Sequence, residues 1–64
     1  MIQIGKDIRI DSTEFKGKEY VVIRRYYNDN GEMKPGRQGI NLKREEWQEI
    51  CDRFEEIKEH VKEQ

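Results

Sequence analysis

Near residue 43 the spacing of apolar side chains changes, and this change constrains the fold more than any other feature of the 64 residues. Before it, apolar and polar residues alternate, as at Ile2 and Ile4, Ile8 and Ile10, and Ile40 and Leu42. A period of two gives a strand one face for a core and one for water. After it, Trp47, Ile50, Cys51, Phe54, Ile57 and Val61 recur at three- and four-residue steps. Those steps line one stripe of a helix. Strands come first and a single C-terminal helix follows, so the chain is predicted to be α+β, one domain over residues 1–64.

Turn residues punctuate the strand half. Ile2 to Ile10 reads as two short strands, or as one broken at Gly5. Phe15 to Tyr27 is the longest run of strand-favouring residues, and Asn28-Asp29-Asn30-Gly31 after it supplies a hairpin turn. Pro35-Gly36 is expected to interrupt the segment that follows. Glu45 and Glu46 suit the first helical turn, where negative charge meets the positive end of the helix dipole. Lys43 is not a preferred N-cap, which leaves the helix start defined only to within a turn.

Hydrophobic residues make up 33% of the chain and charged residues 42%, too little apolar surface for a self-sufficient core at this length. With one cysteine and one histidine, neither a disulfide framework nor a Cys/His metal site can compensate. Association is the remaining remedy, and Trp47, Ile50, Phe54, Ile57 and Val61 are the expected dimer interface. Cys51 is expected to fill core space among Trp47, Ile50 and Phe54. The lone cysteine points to a reducing, intracellular compartment. No run approaches the ~20 apolar residues of a membrane span, and the N-terminus carries no stretch suited to a signal peptide.

Net charge is −1, but it is unevenly distributed. Residues 1–44 hold ten Lys and Arg against six Asp and Glu, whereas residues 45–64 hold three against eight. A basic strand half suits a polyanion. Its cations interleave with rings in F-K-G-K-E-Y-V-V-I-R-R-Y-Y (Phe15 to Tyr27) and precede G-E-M-K-P-G-R-Q-G-I-N-L (Gly31 to Leu42). Phosphates call for cations and unstacked bases for flat apolar faces, so the combination suits a single nucleic acid strand.

The same segments resemble a family, the C-terminal single-stranded-DNA-binding domain of the eukaryotic transcriptional coactivator positive cofactor four. The resemblance rests on Q-I-G-K (Gln3 to Lys6), F-K-G-K (Phe15 to Lys18), Ile23 to Tyr27, G-E-M-K-P-G-R-x-G-I-x-L (Gly31 to Leu42) and Trp47, in order along essentially the whole chain. It implies a curved four-stranded antiparallel sheet with one C-terminal helix, helix and last strand forming a homodimer interface. It also implies coactivator-like binding of single-stranded DNA without sequence preference, in transcription with further roles in replication or repair, in the nucleus if the source is eukaryotic and otherwise in the cytoplasm.

The expected phosphate ligands are Lys6, Lys16, Lys18, Arg24, Lys34 and Arg37, and the expected stacking rings are Phe15 and Tyr27. Read as one strand, alternation places Lys16, Lys18, Tyr20, Val22 and Arg24 on one side and Phe15, Val21, Ile23 and Tyr27 on the other. The rings therefore share the core side unless Gly17 bends the strand near Phe15 and the strand end frees Tyr27. Three departures stand out against the family pattern: Tyr27 where Trp is preferred, Gln38 in place of a Lys, and Ile8 in place of an Arg. Arg9 beside it points to the opposite face if that segment is a strand, and whether it substitutes is open. The Ser- and Lys-rich arm of eukaryotic members is not among these residues.

A bland alternative makes the basic face a solvated surface whose lysines discourage edge pairing. Another makes the chain a protein-interaction module, its acidic helix contacting transcription factors. The carboxylates crowd the helix without acid/base or two-metal spacing, so no enzyme activity, cofactor, metal or small-molecule substrate is expected. Met33 is expected to pack, and His60 to serve the helix C-terminus.

Overall fold

The computed structural model describes residues 1–62. Four strands, β1 (Ile2–Ile4), β2 (Ile8–Phe15), β3 (Lys18–Asp29) and β4 (Glu32–Lys43), pair in chain order as an open, curved antiparallel sheet. Two helices follow, α1 (Arg44–Asp52) and α2 (Phe54–Lys62). The turn expected at Asn28 to Gly31 forms. Asn30 and Gly31 take positive φ of 56° and 85° between β3 and β4, and Asn28 Oδ1 accepts the Gly31 N–H at 2.7 Å. Two central residues at positive φ match the twist of a hairpin, which is why Asn-Gly is favoured there.

A second two-residue turn corrects the reading of Phe15 to Tyr27 as one strand. Lys16 and Gly17 take φ of 53° and 77°, Phe15 ends β2, and Lys18 opens β3 opposite it. Alternation cannot be counted through a reversal of the chain. Lys18, Tyr20, Val22 and Arg24 keep their common face, Lys16 leaves it for the turn, and Phe15 joins it through its pairing with Lys18.

Pro35-Gly36 does not interrupt β4. Arg24 pairs with Gly39 and Tyr26 with Pro35, so Gly36, Arg37 and Gln38 stand opposite Arg25 alone, as a bulge inside a continuous strand. A Cβ on Gly36 would lie 2.8 Å from the Arg25 carbonyl oxygen, so only glycine permits this approach. Gly36→Ala is expected to cost about 1–3 kcal/mol, the usual range for forcing atoms into filled space. Urea denaturation checks it; an unchanged midpoint would mean that the bulge relaxes freely.

One face of the sheet carries a row of isoleucine, one from each strand: Ile2 opposite Ile10, Ile10 opposite Ile23, Ile23 opposite Ile40. Val21 and Leu42 extend this face on the next row, and α1 lies against β3 and β4 with Trp47 and Ile50 half-buried. The cover is partial, since Ile2 remains 62% exposed and Ile40 52%. No described side chain is fully buried. The chain is a slab of 40 × 36 × 17 Å exposing 5867 Å², against about 4,400 Å² for a compact monomer of this mass.

The single helix expected from the Trp47 to Val61 stripe is two. Arg53, at φ −106° and ψ 19°, separates α1 from α2, although Arg53 N–H still donates to the Glu49 carbonyl at 3.0 Å and Ile57 N–H to that of Arg53 at 2.9 Å. The Arg53 side chain bridges the junction, binding Glu49 at 3.0 Å and both carboxylate oxygens of Glu56 at 3.1 and 2.9 Å. Those hydrogen bonds, and then the guanidinium charge, hold the Glu56 carboxyl below its usual range. At the start of α1, Lys43 is the N-cap. Its N–H donates to the Glu46 carboxylate at 2.8 Å, one half of a capping box; an ammonium cannot accept the reciprocal bond.

The helix α2 touches α1 and no strand. Phe54 and Val61 of the stripe are 52% and 61% exposed, and Cys51 is exposed too, contrary to the core position expected for it. Within one chain the stripe has no surface to bury against. Among the described residues no helix is long and apolar enough to cross a membrane, and no group of His, Cys, Asp and Glu is arranged to hold a metal ion.

Candidate nucleic-acid interface

Seven of the eight residues singled out for binding fall into three places along β3, and Lys6 lies apart from them. At its start, around the Lys16-Gly17 turn, Phe15 is 62% exposed and the Lys16 ammonium sits 5.4 Å from the centre of its ring. Lys18, opposite Phe15, has no ion-pair partner among the described residues. Rings are seldom left this open, and a cation beside a ring face adds attraction for a phosphate next to the base stacked there.

Near the far end of β3, Tyr27 is 51% exposed and pairs with Lys34, whose ammonium is 2.9 Å from the Asp29 carboxylate. Lys34 therefore has to leave or share that exposed ion pair to reach a phosphate, at a cost on the order of 1 kcal/mol or less. Alternation keeps Tyr27 on the face of Ile23, as the sequence suggested, while half of the residue is open to solvent in the single chain. Nine residues of strand separate Tyr27 from the level of Phe15, about 30 Å. The rings are thus two stacking points on opposite faces and opposite ends.

Between them lies the bulge. Arg37 occupies it without an ion-pair partner among the described residues, lining a shallow cavity with Arg25, Tyr26, Tyr27, Gly36 and Gln38. Arg24 is half-buried, and its Nη1 donates to the Gly36 carbonyl at 3.0 Å. Its guanidinium lies over Gly39, where a Cβ would come within 2.8 Å of Cζ. Arg24 is in this way tied to the bulge that presents Arg37.

Lys6 sits in the β1–β2 turn, and its carbonyl accepts from Arg9 Nη1 at 3.1 Å. Arg9 pairs with Arg24 across β2 and β3, and its guanidinium lies 5.1 Å from the centre of the Tyr26 ring. The sequence left the use of Arg9 open, because its relation to Arg24 depends on the register of two strands. The Tyr26 ring gave no signal beyond its place in the strand.

Comparison with known proteins adds to this geometry. The family described as Transcriptional Coactivator p15 (PC4) matches residues 2–53. A relative in Caenorhabditis elegans is 42% identical over 59 residues, covering 89% of this chain and 48% of that protein. The RNA polymerase II transcriptional coactivator of Drosophila melanogaster is 35% identical over 52 residues, 81% of this chain and 46% of that protein. The chain spans about half the length of these curated relatives. Among solved structures, a crystal structure of a MoSub1–ssDNA complex is similar with a TM-score of 0.80 and 29% identity, over 97% of this chain and 75% of that one.

Proposed function

The chain belongs to the Transcriptional Coactivator p15 (PC4) family, and we propose that it binds single-stranded DNA as a homodimer, without sequence preference, in the service of transcription. The observation that carries this reading is the pair of open rings, Phe15 and Tyr27, each beside a lysine on a protein that is similar to a chain solved with single-stranded DNA. Lys6, Lys16, Lys18, Arg24, Lys34 and Arg37 neutralise phosphates, and the two rings each stack a base. Duplex is disfavoured because paired bases hide their faces.

The exposed surface supports the homodimer. This slab exposes roughly 1,500 Å² more than a compact monomer of its mass, and a standard interface removes about 800 Å² from each partner. The Phe54, Ile57 and Val61 stripe of α2, which meets no strand of its own chain, is the surface to be covered by a second copy. Trp47 and Ile50 continue it along α1, with the end of β4 alongside.

The test is a titration of single-stranded and duplex DNA across salt concentrations. With about four to six phosphate contacts, log K is expected to fall against log salt with a slope on the order of −3 to −4, at ~0.7 per phosphate for single strands. Lys18→Ala is expected to flatten the slope by one contact's share. Duplex binding as tight as single-strand binding, or affinity indifferent to salt, would refute the assignment. Absence of binding at low salt would leave the acidic helices as a protein-interaction surface.

A further inference from the structure

The arginines of this chain divide into two sets. Arg25 pairs with Asp7, Arg44 with Glu19, and Arg53 with Glu49 and Glu56. Arg9, Arg24 and Arg37 have no carboxylate partner among the described residues. Two of these three, Arg9 and Arg24, stand directly opposite each other on neighbouring strands, and both are half-buried.

Like charges directly opposite in a sheet repel, and partial burial strengthens the repulsion by reducing its screening. No ion pair with a described carboxylate relieves it. Asp11 shares their face by alternation, but its Oδ1 accepts the Ser12 N–H at 2.8 Å and lies 3.8 Å from the Met1 amine. Each guanidinium is instead tethered by one nitrogen. Arg9 Nη1 donates to the carbonyls of Lys6 and, at 3.4 Å, Ile8, while Arg24 Nη1 donates to that of Gly36. Nε and Nη2 of both arginines have no hydrogen-bond partner among the described residues. The Tyr26 ring supports Arg9, and the missing side chain of Gly39 makes room for Arg24.

We propose that Arg9 and Arg24 form a paired phosphate-binding site at the middle of the sheet, adding Arg9 to the ligands of the DNA strand. The inference rests on the single-strand-binding reading. A phosphate at the pair removes the repulsion and takes N–H groups from two planar forks already held in place, which is the geometry in which Arg surpasses Lys. It also supplies a cation on the face of Phe15, six residues along β3 from Lys18 and three from Tyr27, with Lys6 on one flank and the Arg37 bulge on the other.

The experiment measures binding of a short dT oligonucleotide across salt for wild type, Arg9→Gln, Arg9→Lys and, as a control, Arg44→Gln. Arg9→Gln keeps a polar side chain and removes the charge that lies over the Tyr26 ring. It is expected to bind about tenfold more weakly at low salt, as for loss of a hydrogen bond to a charged group, with the slope flattened by about 0.7. Arg9→Lys restores most of the slope, and Arg44→Gln leaves it unchanged. Without DNA, Arg9→Gln melts close to wild type, because the relieved repulsion offsets the lost contacts with the Tyr26 ring and the Lys6 and Ile8 carbonyls. A wild-type slope in Arg9→Gln, alone or with a lowered Tm, overturns the site and leaves Arg9 a packing residue. Equal flattening by Arg44→Gln overturns it as a general charge effect. If wild type binds no single strand, the parent reading falls with it, whereas wild-type binding with an unaffected Arg9→Gln sinks this proposal alone.

Discussion

Phe54→Asp is expected to convert a dimer into a monomer that is largely unfolded. Light scattering of the wild-type chain at micromolar concentration should give twice the 7.8 kDa chain mass, and the variant should give the single value. In one chain Phe54 is 52% exposed, on a helix that meets no strand. Were that its final environment, a polar replacement would change stability by about 0.5 kcal/mol or less. Against a second copy, the same carboxylate is a buried, unpaired charge, costing several kcal/mol. The two cases differ by far more than experimental error. No described side chain is fully buried in the single chain, so loss of the partner also removes most of the opportunity to form a core. A wild-type mass of 7.8 kDa, or a variant dimer of unchanged stability, would contradict the interface.

Tyr27→Ala is expected to weaken single-strand binding by roughly 1–3 kcal/mol while leaving the salt slope nearly unchanged, because stacking on a base releases no counterions. Tyr27→Trp should bind at least as tightly through its larger face. The structure bears on the main alternative, that Tyr27 belongs to the core, since half of the residue is open to solvent. Thermal unfolding beside the binding measurement separates the two. A variant that unfolds with Ala and tolerates Trp poorly would return Tyr27 to the core, whereas normal melting with weakened binding assigns it to the ligand.

Local chemistry carried much of this protein. The alternation of Ile8 with Ile10 and of Ile40 with Leu42, and the three- and four-residue steps from Trp47, reflect periods that each element imposes on its own side chains, so they can be counted along the chain. Asn30-Gly31 was legible for the same reason, because positive φ is a property of the residues themselves. Lys16-Gly17 makes the same kind of turn, but Lys lacks the tolerance of Asn for positive φ, and counting Phe15 to Tyr27 as one strand puts Phe15 on the wrong face. The Trp47 to Val61 stripe continues through Arg53 without proline or glycine, which is why the division of the helix left no mark in the periodicity.

The sequence by itself therefore determined the order and kind of elements, the basic strand half, the family, and the shortage of core that points to a partner. Only the tertiary structure decided which residues face each other. The isoleucine row, the opposition of Arg9 to Arg24, and the placing of Gly36, Arg37 and Gln38 against Arg25 each depend on register between segments up to seventeen residues apart. A shift of one residue in pairing would leave every local preference satisfied while turning each side chain to the other face. Register is chosen by the summed burial of a whole face and by turn geometry, a collective quantity that no short stretch of sequence contains.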